Sequence, residues 1–316
     1  MEDYKMDGFT INGNVLLGID HGYGNMKTRN FVFKSGVKAY DKEPPIAENV
    51  LVYDGKYYVI GENHKVFSAY KDDDEDYYIL TLAAIANELE VRNMQEANVL
   101  LAVGLPLHWM MEQKDAFRKY LLRNTDVSYV YCSKEYHIHI CDVQVYPQGF
   151  AGIAADMKNY SGVNMLADIG NGTMNTMTIV NGKGISDKTY TDQLGVHQCV
   201  KRIKNEVQAK CGKLPDETLI EEFLRFGVTD LPENILSVMR DVAKEYVVEI
   251  FNKLKEYEYD PDLVKLHIIG GGGCLVEHFG DYKADRVEII HDICATAKGY
   301  ENIYMSMYER NMKRRA

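Results

Sequence analysis

The chain has 316 residues, carries a formal net charge of −11 and contains six cysteines, none of them in a C-x-x-C pair. That length suffices for two domains with their own cores, and the ordinary apolar content predicts a folded, soluble protein. An evenly acidic chain is repelled by DNA phosphates and anionic membranes, so composition argues against direct binding to either, and the scattered cysteines favour free thiols in a reducing cytoplasm over zinc ribbons or redox motifs.

The first third of the chain predicts two hairpins followed by a helix. The N-terminus is acidic and lacks the apolar stretch of a signal peptide, and no later run is long enough to span a membrane. A first hairpin with a glycine turn is expected over about 14–37, and a second around the type I′ turn Asp54-Gly55. The acidic run 72–76 is interpreted as a solvated loop, whereas 79–94 has the apolar spacing of a helix.

The remaining segments alternate between strand and helix patterns, which predicts an α/β class with two domains. Before residue 160 we expect a buried strand at 98–106, a helix at 112–123, strands at 127–132 and 136–146, and a short helix opening at Gln148. A second glycine-turned hairpin is expected from 163, followed by a strand after the Asn181-Gly182 turn and by helices at 195–211, 217–226 and 233–257. The last predicted elements are a strand at 265–269, four glycines at 270–273 leading into a helix, a strand at 286–290 and a terminal helix from 292. The chain is expected to cross between the two domains near Tyr160 and again near Asp292.

One short phrase occurs twice in the chain. It reads DHGYGNM at residues 20–26 and DIGNGTM at residues 168–174, and each copy follows an apolar run and precedes a second β-prone run. A lone aspartate beside glycines is ordinary turn chemistry. Two matching copies at the ends of buried strands favour a phosphate-binding site instead, because glycine lets backbone N–H groups approach an anion and aspartate can hold Mg²⁺ through water.

Four polar residues accompany these hairpins. Lys27 at the rim of the first hairpin can reach phosphate oxygens as a point charge, or it can be a solvated strand lysine. Asn25 and Thr173 occupy matching positions and can donate to a phosphate or cap the turn. Gln148 follows a predicted strand, where a neutral amide can orient a water molecule by donating and accepting hydrogen bonds together.

The glycine run at 270–273 lies between a predicted strand and a predicted helix. The dinucleotide pattern G-x-G-x-x-G fails because Leu275 stands at its third glycine, and no P-loop pattern occurs in the chain. Bare glycine backbone would let a flat group such as adenine lie against it. A tight strand–helix junction is the alternative interpretation.

In this order the segments resemble the actin-type ATPase superfamily of actin, sugar kinases and heat-shock-type chaperone ATPases. The resemblance runs through the two hairpins, YPQG around Gln148, IIGGGGCL and a terminal helix with Ala297-Lys-Gly299, and it spans residues 14 to about 305. Within the superfamily the chain most resembles the plasmid-segregation (ParM/StbA-like) actins, which its compact length and Val103-Gly-Leu-Pro106 also fit. Gln148 is similar to the glutamine of actin at a position where ParM has glutamate.

The resemblance implies an actin-like fold of two ribonuclease-H-like domains facing a nucleotide cleft. The first domain would comprise 1–160 with 293–316 and include a small subdomain at about 38–78, and the second would comprise 161–292. The implied cofactors are Mg²⁺ and ATP, with GTP as the alternative. The implied site residues are Gly22, Gly24, Asn25, Lys27, Gly170, Asn171, Gly172 and Thr173 for the phosphates, Asp20 and Asp168 for Mg²⁺ through its waters, Gln148 with Asp168 for the attacking water, Gly271, Gly272 and Gly273 under the adenosine, and Lys244 with Glu245 for the adenine and ribose.

The implied function is that of a cytoplasmic nucleoside triphosphatase that segregates plasmid or phage DNA. It would polymerise head to tail with Mg-ATP, disassemble after hydrolysis, and reach DNA only through an adaptor protein bound to centromere-like repeats. A small-molecule kinase of the same superfamily is an alternative, although no second acidic signature is seen. A chaperone ATPase would add a peptide-binding domain, and a cell-shape or division actin could touch lipid through the basic tail 303–315, for which a packed terminal helix is the favoured interpretation.

Overall fold

The computed structural model describes residues 8–62, 75–106 and 109–315. The chain divides into two compact units, residues 1–155 with 294–316 and residues 156–293. Each unit contains one β-sheet with helices packed on it. Among the described residues, no helix is both long and apolar enough to cross a membrane.

The first unit has ten strands and four α-helices among its described residues. The strands are β1 (Phe9–Ile11), β2 (Asn14–His21), β3 (Asn25–Lys27), β4 (Val32–Lys34), β5 (Val37–Tyr40), β6 (Val50–Tyr53), β7 (Lys56–Ile60), β8 (Glu96–Leu105), β9 (Asp126–Tyr131) and β10 (Lys134–Pro147). The helices are α1 (Asp76–Glu90), α2 (Met110–Leu121), α3 (Phe150–Ile153) and the C-terminal helix α8 (Ala295–Arg315).

The sheet of the first unit is ordered around the first hairpin. Its path runs β4-β3-β2-β8-β10-β9-β6-β7-β5, and β1 pairs with β2 beside it. Strands β2, β3 and β4 are antiparallel, whereas β8 lies parallel to both β2 and β10. The hairpin that carries the repeated phrase is therefore joined at its first strand to the parallel part of the sheet.

The second unit has five strands and four α-helices among its described residues. They are β11 (Val163–Ile169), β12 (Met174–Val180), β13 (Lys183–Asp192), α4 (Val196–Cys211), α5 (Glu217–Phe226), α6 (Glu233–Glu256), β14 (Lys265–Ile269), α7 (Gly272–Phe279) and β15 (Val287–Ile289). A short 3-10 helix at Met157–Asn159 precedes them.

The sheet of the second unit repeats the strand order of the first. Its path is β13-β12-β11-β14-β15, with β11 to β13 antiparallel and β14 parallel to both β11 and β15. The path β13-β12-β11-β14-β15 corresponds to β4-β3-β2-β8-β10 in the first unit. This shared strand order is the ribonuclease-H-like arrangement. The predicted α/β class with two such units is confirmed.

The core of the first unit lies on both faces of its sheet. Along β2, Leu17 and Ile19 join one apolar cluster with α1 and α2, and Leu16 joins another that contains Tyr300 of α8. All four of these side chains are fully buried. A strand covered on both faces reads as a continuous apolar run, which is why β2 is apolar without alternation up to Asp20.

The structure corrects several predicted element bounds. The helix expected at 79–94 runs from Asp76 to Glu90, so the last residue of the acidic run 72–76 is helical, while residues 72–74 and part of the predicted small subdomain at 38–78 lie outside the described residues. The helix expected to open at Gln148 is α3, only four residues long, and it begins two residues later. The two predicted hairpin turns are confirmed, since Asp54-Gly55 and Asn181-Gly182 all have positive φ.

Candidate functional site

Three of the predicted site residues meet at the end of β2. Asp20 pairs across the hairpin with Lys27, whose Nζ lies 3.2 Å from Asp20 Oδ2. On the other side, Gln148 Nε2 donates to Asp20 Oδ1 at 2.9 Å. The Asp20 residue is only 5% exposed, so this carboxylate lies inside the protein in contact with a cation and an amide.

The turn after β10 positions Gln148. Its backbone N–H donates to the Leu105 carbonyl at 2.8 Å, and the next residue, Gly149, has φ +73°. Gln148 therefore sits in a turn that glycine permits, not in a helix, and points its amide at Asp20. A hydrogen bond to a charged acceptor contributes about 1.5–3 kcal/mol, enough to fix the side chain in this position.

One serine orients the glycine turn of the first hairpin. The Ser35 hydroxyl donates to the Gly22 carbonyl at 2.6 Å, and the Ser35 N–H donates to the Gly24 carbonyl at 3.0 Å. The described residues contain no cis peptide, and in a trans peptide the C=O and the following N–H point in opposite directions. The N–H groups of Tyr23 and Asn25 are therefore directed away from Ser35.

The N-terminus of α4 orients the turn of the second hairpin. Three successive carbonyls accept hydrogen bonds from it: Gly170 O from Val196 N at 3.0 Å, Asn171 O from His197 N at 2.9 Å, and Gly172 O from Gln198 Nε2 at 3.1 Å. By the same peptide geometry, the N–H groups of residues 171–173 are all directed away from α4. A row of backbone N–H groups with one direction is a favourable environment for an anion.

The contact between α4 and this turn depends on Gly195. A Cβ at Gly195 would lie 2.3 Å from the Asn171 carbonyl oxygen, so only glycine lets the helix come this close. The Gly195 carbonyl in turn accepts a hydrogen bond from the buried Tyr246 hydroxyl of α6 at 2.8 Å. The second hairpin is thus fixed through α4 to the helical layer of its unit.

Asp168 lies against the glycine run in the second unit. It pairs with Asn175 on one side and Ile269 on the other, and its Oδ1 is 2.9 Å from where a Cβ of Gly270 would be. A Cβ at Gly272 would overlap Ile169, at 2.1 Å from Cγ2. The run is therefore a tight strand–helix junction at Gly270 and Gly272.

Of the three glycines predicted to lie under adenosine, only Gly271 is exposed. Nothing lies within 4 Å of a Cβ built on Gly271, whereas Gly272 and Gly273 are buried in the junction. Lys244 and Glu245 are both exposed on α6, immediately before Tyr246. Neither takes part in the site contacts described for the second hairpin.

A buried carboxylate fastens the chain that follows Lys27. Glu88 is 1% exposed and accepts hydrogen bonds from Thr28 Oγ1 at 2.6 Å and from the backbone and side chain of Asn30, both at 2.9 Å. Burial alone would raise the pKa of Glu88, but the hydrogen bonds from Arg92 and Thr28 outweigh it, so the pKa is lowered and the group stays charged. The chain just after Lys27 is therefore anchored to Glu88 of α1.

A second buried carboxylate anchors β2 before Asp20. Glu301 of α8 accepts a hydrogen bond from the Gly18 N–H at 2.8 Å and from Arg29 Nε at 2.6 Å. Burial raises the pKa of Glu301, and Arg29 partly offsets that effect. Helix α8 therefore holds the strand that delivers Asp20, which gives the terminal helix a structural role.

Sequence reasoning missed the residues that hold the two turns. These residues belong to neither copy of the repeated phrase: Ser35, Gly195, Gln198 and Tyr246. Among them, only Gly195 has a local sequence signal, because it is a glycine that opens a helix after a polar stretch. The structure brings together two groups of predicted residues, each within one unit: Asp20, Lys27 and Gln148 in the first, and Asp168 with the glycine run in the second.

Comparison with known protein families gives one match in each unit. Residues 18–150 match the N-terminal domain of actin-like proteins, and residues 166–279 match the C-terminal domain of archaeal MreB-like actin homologues. Together the two matches span most of the chain. No curated protein matches the sequence significantly.

Solved structures share the fold over nearly the whole chain. A ParM from a 15-stranded filament of Clostridium botulinum is 17% identical with a TM-score of 0.72, and an archaeal actin homologue in complex with ADP is 21% identical with a TM-score of 0.71; each match covers 92% of this chain and 99% of the other. A Bacillus thuringiensis ParM with AMPPNP is 13% identical with a TM-score of 0.68, covering 94% and 100%.

The duplicated sheet, with a glycine hairpin and an aspartate at the end of the central strand of each unit, defines the actin-like class of proteins. The chain belongs to the actin-like protein family, and its fold is that of the ParM proteins. The resemblance noted in the sequence is thereby confirmed.

Proposed function

We propose that this protein binds and hydrolyses ATP, assembles into filaments and segregates plasmid or phage DNA. The observation that carries the proposal is the buried Asp20 carboxylate held between Lys27 and Gln148. This cluster puts a carboxylate, a cation and an amide beside a glycine turn. These are the groups that phosphoryl-transfer chemistry uses to position phosphate, metal ion and water.

Phosphate oxygens would be held by backbone N–H groups and by Lys27. The N–H groups of Tyr23 and Asn25 share one direction because Ser35 holds the carbonyls of that turn, and those of residues 171–173 share another because α4 holds theirs. Lys27 adds a point charge. Gly271, whose α-carbon faces open space, is the best-placed glycine for the adenosine, and Lys244 with Glu245 remain proposed contacts of the base and ribose.

Asp20 and Asp168 are the residues proposed to hold Mg²⁺ through its waters. Oxygen ligands suit Mg²⁺, which keeps several of its waters, and Lys27 already neutralises Asp20, which favours contact through water over direct coordination. Bound Mg²⁺ would neutralise charge that develops on the phosphates. Gln148 uses its amide nitrogen on Asp20, which leaves its carbonyl oxygen to accept a hydrogen bond from the attacking water, with Asp168 as the second positioning group.

Assembly into filaments is supported by solved structures that share this fold, and DNA segregation is proposed from the resemblance to ParM proteins. Among those structures are a 15-stranded ParM filament and an Alp12 filament. The net charge of −11 argues that DNA is reached through a basic adaptor, not directly. We propose that the two units are the two actin-like domains and that the same head-to-tail contact, repeated in every subunit, generates an open filament.

Polymerisation with nucleotide tests the proposal most directly. With Mg-ATP, purified protein at tens of micromolar should sediment and form elongated polymers that are visible in negative stain. Without nucleotide, or with EDTA present, it should neither sediment nor form polymers. A parallel reaction with Mg-GTP settles the nucleotide preference. A protein that stays monomeric under these conditions and phosphorylates a sugar or another small molecule would falsify the filament function and establish a kinase instead.

The variant Gln148→Ala separates hydrolysis from binding. It should slow ATP hydrolysis on the order of tenfold to a thousandfold while nucleotide affinity changes only a few-fold, and its filaments should persist longer. Gln144→Ala is the matched control, because Gln144 lies on β10 just before the turn that holds Gln148, is half-buried and donates from its amide to the Asp142 carboxylate. Equal hydrolysis rates in wild type and Gln148→Ala would remove Gln148 from the mechanism.

A further inference from the structure

A thiol, a carboxylate and an imidazole lie close together in the second unit. Cys274 and Glu277 stand three residues apart on α7 and so share one face of that helix. His291 follows β15 and turns toward the same face, with its Nε2 3.7 Å from Glu277 Oε1. One ligand atom from each of the three side chains lies within 4.8 Å of the other two.

We propose that Cys274, Glu277 and His291 bind one divalent transition-metal ion, with zinc as the best match. Thiolate, imidazole and carboxylate are all zinc ligands, whereas Mg²⁺ prefers oxygen alone. Tetrahedral zinc with bonds of about 2.0–2.3 Å keeps neighbouring ligand atoms roughly 3.5 Å apart. The separation of 3.7 Å between Glu277 and His291 already matches, and the thiol needs to approach by about 1.3 Å at most.

The backbone under the three ligands is held in place. A Cβ at Gly273, next to Cys274, would lie 3.0 Å from Ile289 Cγ2, so α7 packs closely on β15 just before His291. The Ile290 N–H donates to the Ile268 carbonyl at 2.9 Å, which extends the pairing of β15 with β14 to the residue before His291. Only side-chain torsions are therefore required to close the site.

The exposure of the cluster suits an ion that exchanges with solvent. Glu277 and His291 are exposed and Cys274 is half-buried. Three protein ligands leave a fourth position for water, as in open zinc sites. The site has no C-x-x-C pattern, and its third ligand, His291, comes from a different element than Cys274 and Glu277. No local motif in the sequence therefore predicts it.

Metal binding would connect two parts of the second unit. Helix α7 begins in the glycine run, and His291 lies in the segment that leads into the first unit at residue 294. An ion bound by both would tie that segment to α7. Because the folded state alone presents the three ligands together, binding should raise the unfolding temperature.

Cobalt provides the probe, because Co²⁺ bound to a thiolate shows an intense sulfur-to-metal charge-transfer band. Metal-free full-length protein should titrate to one equivalent of Co²⁺ with this band, and Zn²⁺ should displace it whereas a hundredfold excess of Mg²⁺ should not. Cys274→Ser should abolish the band. His291→Ala, at an exposed position where folding is not at risk, should weaken Co²⁺ and Zn²⁺ binding at least tenfold.

Cys132→Ser is the matched control, because Cys132 is an exposed thiol on the other unit. It should retain the full cobalt band and the rise in unfolding temperature with Zn²⁺. Absence of the band in wild type, its persistence in Cys274→Ser, or unchanged affinity in His291→Ala would each overturn the proposal. None of these readouts involves nucleotide, so the outcome is independent of the proposed ATPase function.

Discussion

The two glycine hairpins carry the same phrase but are held by different means. In the first, Ser35 bonds two carbonyls of the turn, and Asp20 contacts Lys27 and Gln148. In the second, the N-terminus of α4 fixes three successive carbonyls. The phrase therefore determines the turn, while the surroundings determine which chemical groups the turn presents.

The largest difference between the hairpins is the position opposite the aspartate. Asp20 pairs with Lys27, whereas Asp168 pairs with Asn175, whose Oδ1 accepts a hydrogen bond from Thr191 at 2.9 Å. Only the first hairpin supplies a cation at this position. The second supplies a longer row of backbone N–H groups and the neighbouring glycine run. Under the proposed function, the first hairpin contributes charged side chains and the second contributes backbone dipoles.

The strongest test of the equivalence of the two aspartates is Asp168→Ala. If Asp168 helps to hold Mg²⁺ and water, hydrolysis should fall on the order of a hundredfold to a thousandfold, with the protein still folded by circular dichroism. Asp187→Ala, at an exposed position of β13 in the same unit, should hydrolyse ATP at the wild-type rate. Wild-type turnover in Asp168→Ala would show that the two copies of the phrase are not functional equivalents.

Gly195→Ala tests whether α4 supports the second hairpin. The new Cβ would lie 2.3 Å from the Asn171 carbonyl oxygen, so the helix and the turn must separate. Such overpacking costs about 1–3 kcal/mol, and we expect nucleotide to bind roughly tenfold more weakly by calorimetry. His197→Ala keeps the backbone donor of α4 and should bind normally. If both variants bind alike, the helix is not needed to shape the turn.

Ser35→Ala makes the corresponding test on the first hairpin, with a smaller expected effect. It removes the 2.6 Å hydrogen bond to the Gly22 carbonyl but keeps the bond from the Ser35 N–H to Gly24. Loss of one such bond costs about 1 kcal/mol, or about fivefold in nucleotide affinity. Ser128→Ala on β9 is the control, since that hydroxyl bonds the exposed His137. An unchanged affinity in Ser35→Ala would mean that the first turn holds its shape without the serine.

The smallest expected effect is on the pH dependence of stability, and it arises from a histidine that only the second sheet carries at this position. His267 on β14 is fully buried, and the register places Ala102 at the equivalent position of β8. Burial lowers the pKa of His267 below 6.5, with Glu288 opposing that effect in part. The folded state thus binds fewer protons than the unfolded one, and stability is lost as the pH falls below 6.5.

We therefore expect the unfolding temperature to fall between pH 7 and pH 5.5 by a few degrees more in wild type than in His267→Gln. The other groups of this network, Glu288 and Lys265, are present in both proteins, so the difference between them isolates the histidine. Parallel curves for the two proteins would exclude His267 as the source of the pH dependence.

Local chemistry explains what could be predicted. The apolar run before each phrase forms a buried strand, and the glycines form the turn, so Asp20 and Asp168 take equivalent registers without help from distant residues. The turns Asp54-Gly55 and Asn181-Gly182 follow from the same kind of short-range preference. The two α/β units follow from the alternation of patterns along the chain.

Tertiary structure alone decided what surrounds the turns. The contact of Gln148 with Asp20 spans 128 residues and exists because the strand order brings the ends of β2, β8 and β10 to one edge of the sheet. Ser35 and Gln198 reach the turns through chain folding that no local pattern encodes, and the start of α3 after Gln148 depends on the glycine turn at Gly149. Sequence determined the two hairpins because turn and strand preferences act over a few residues, whereas the groups that hold them depend on packing between distant elements.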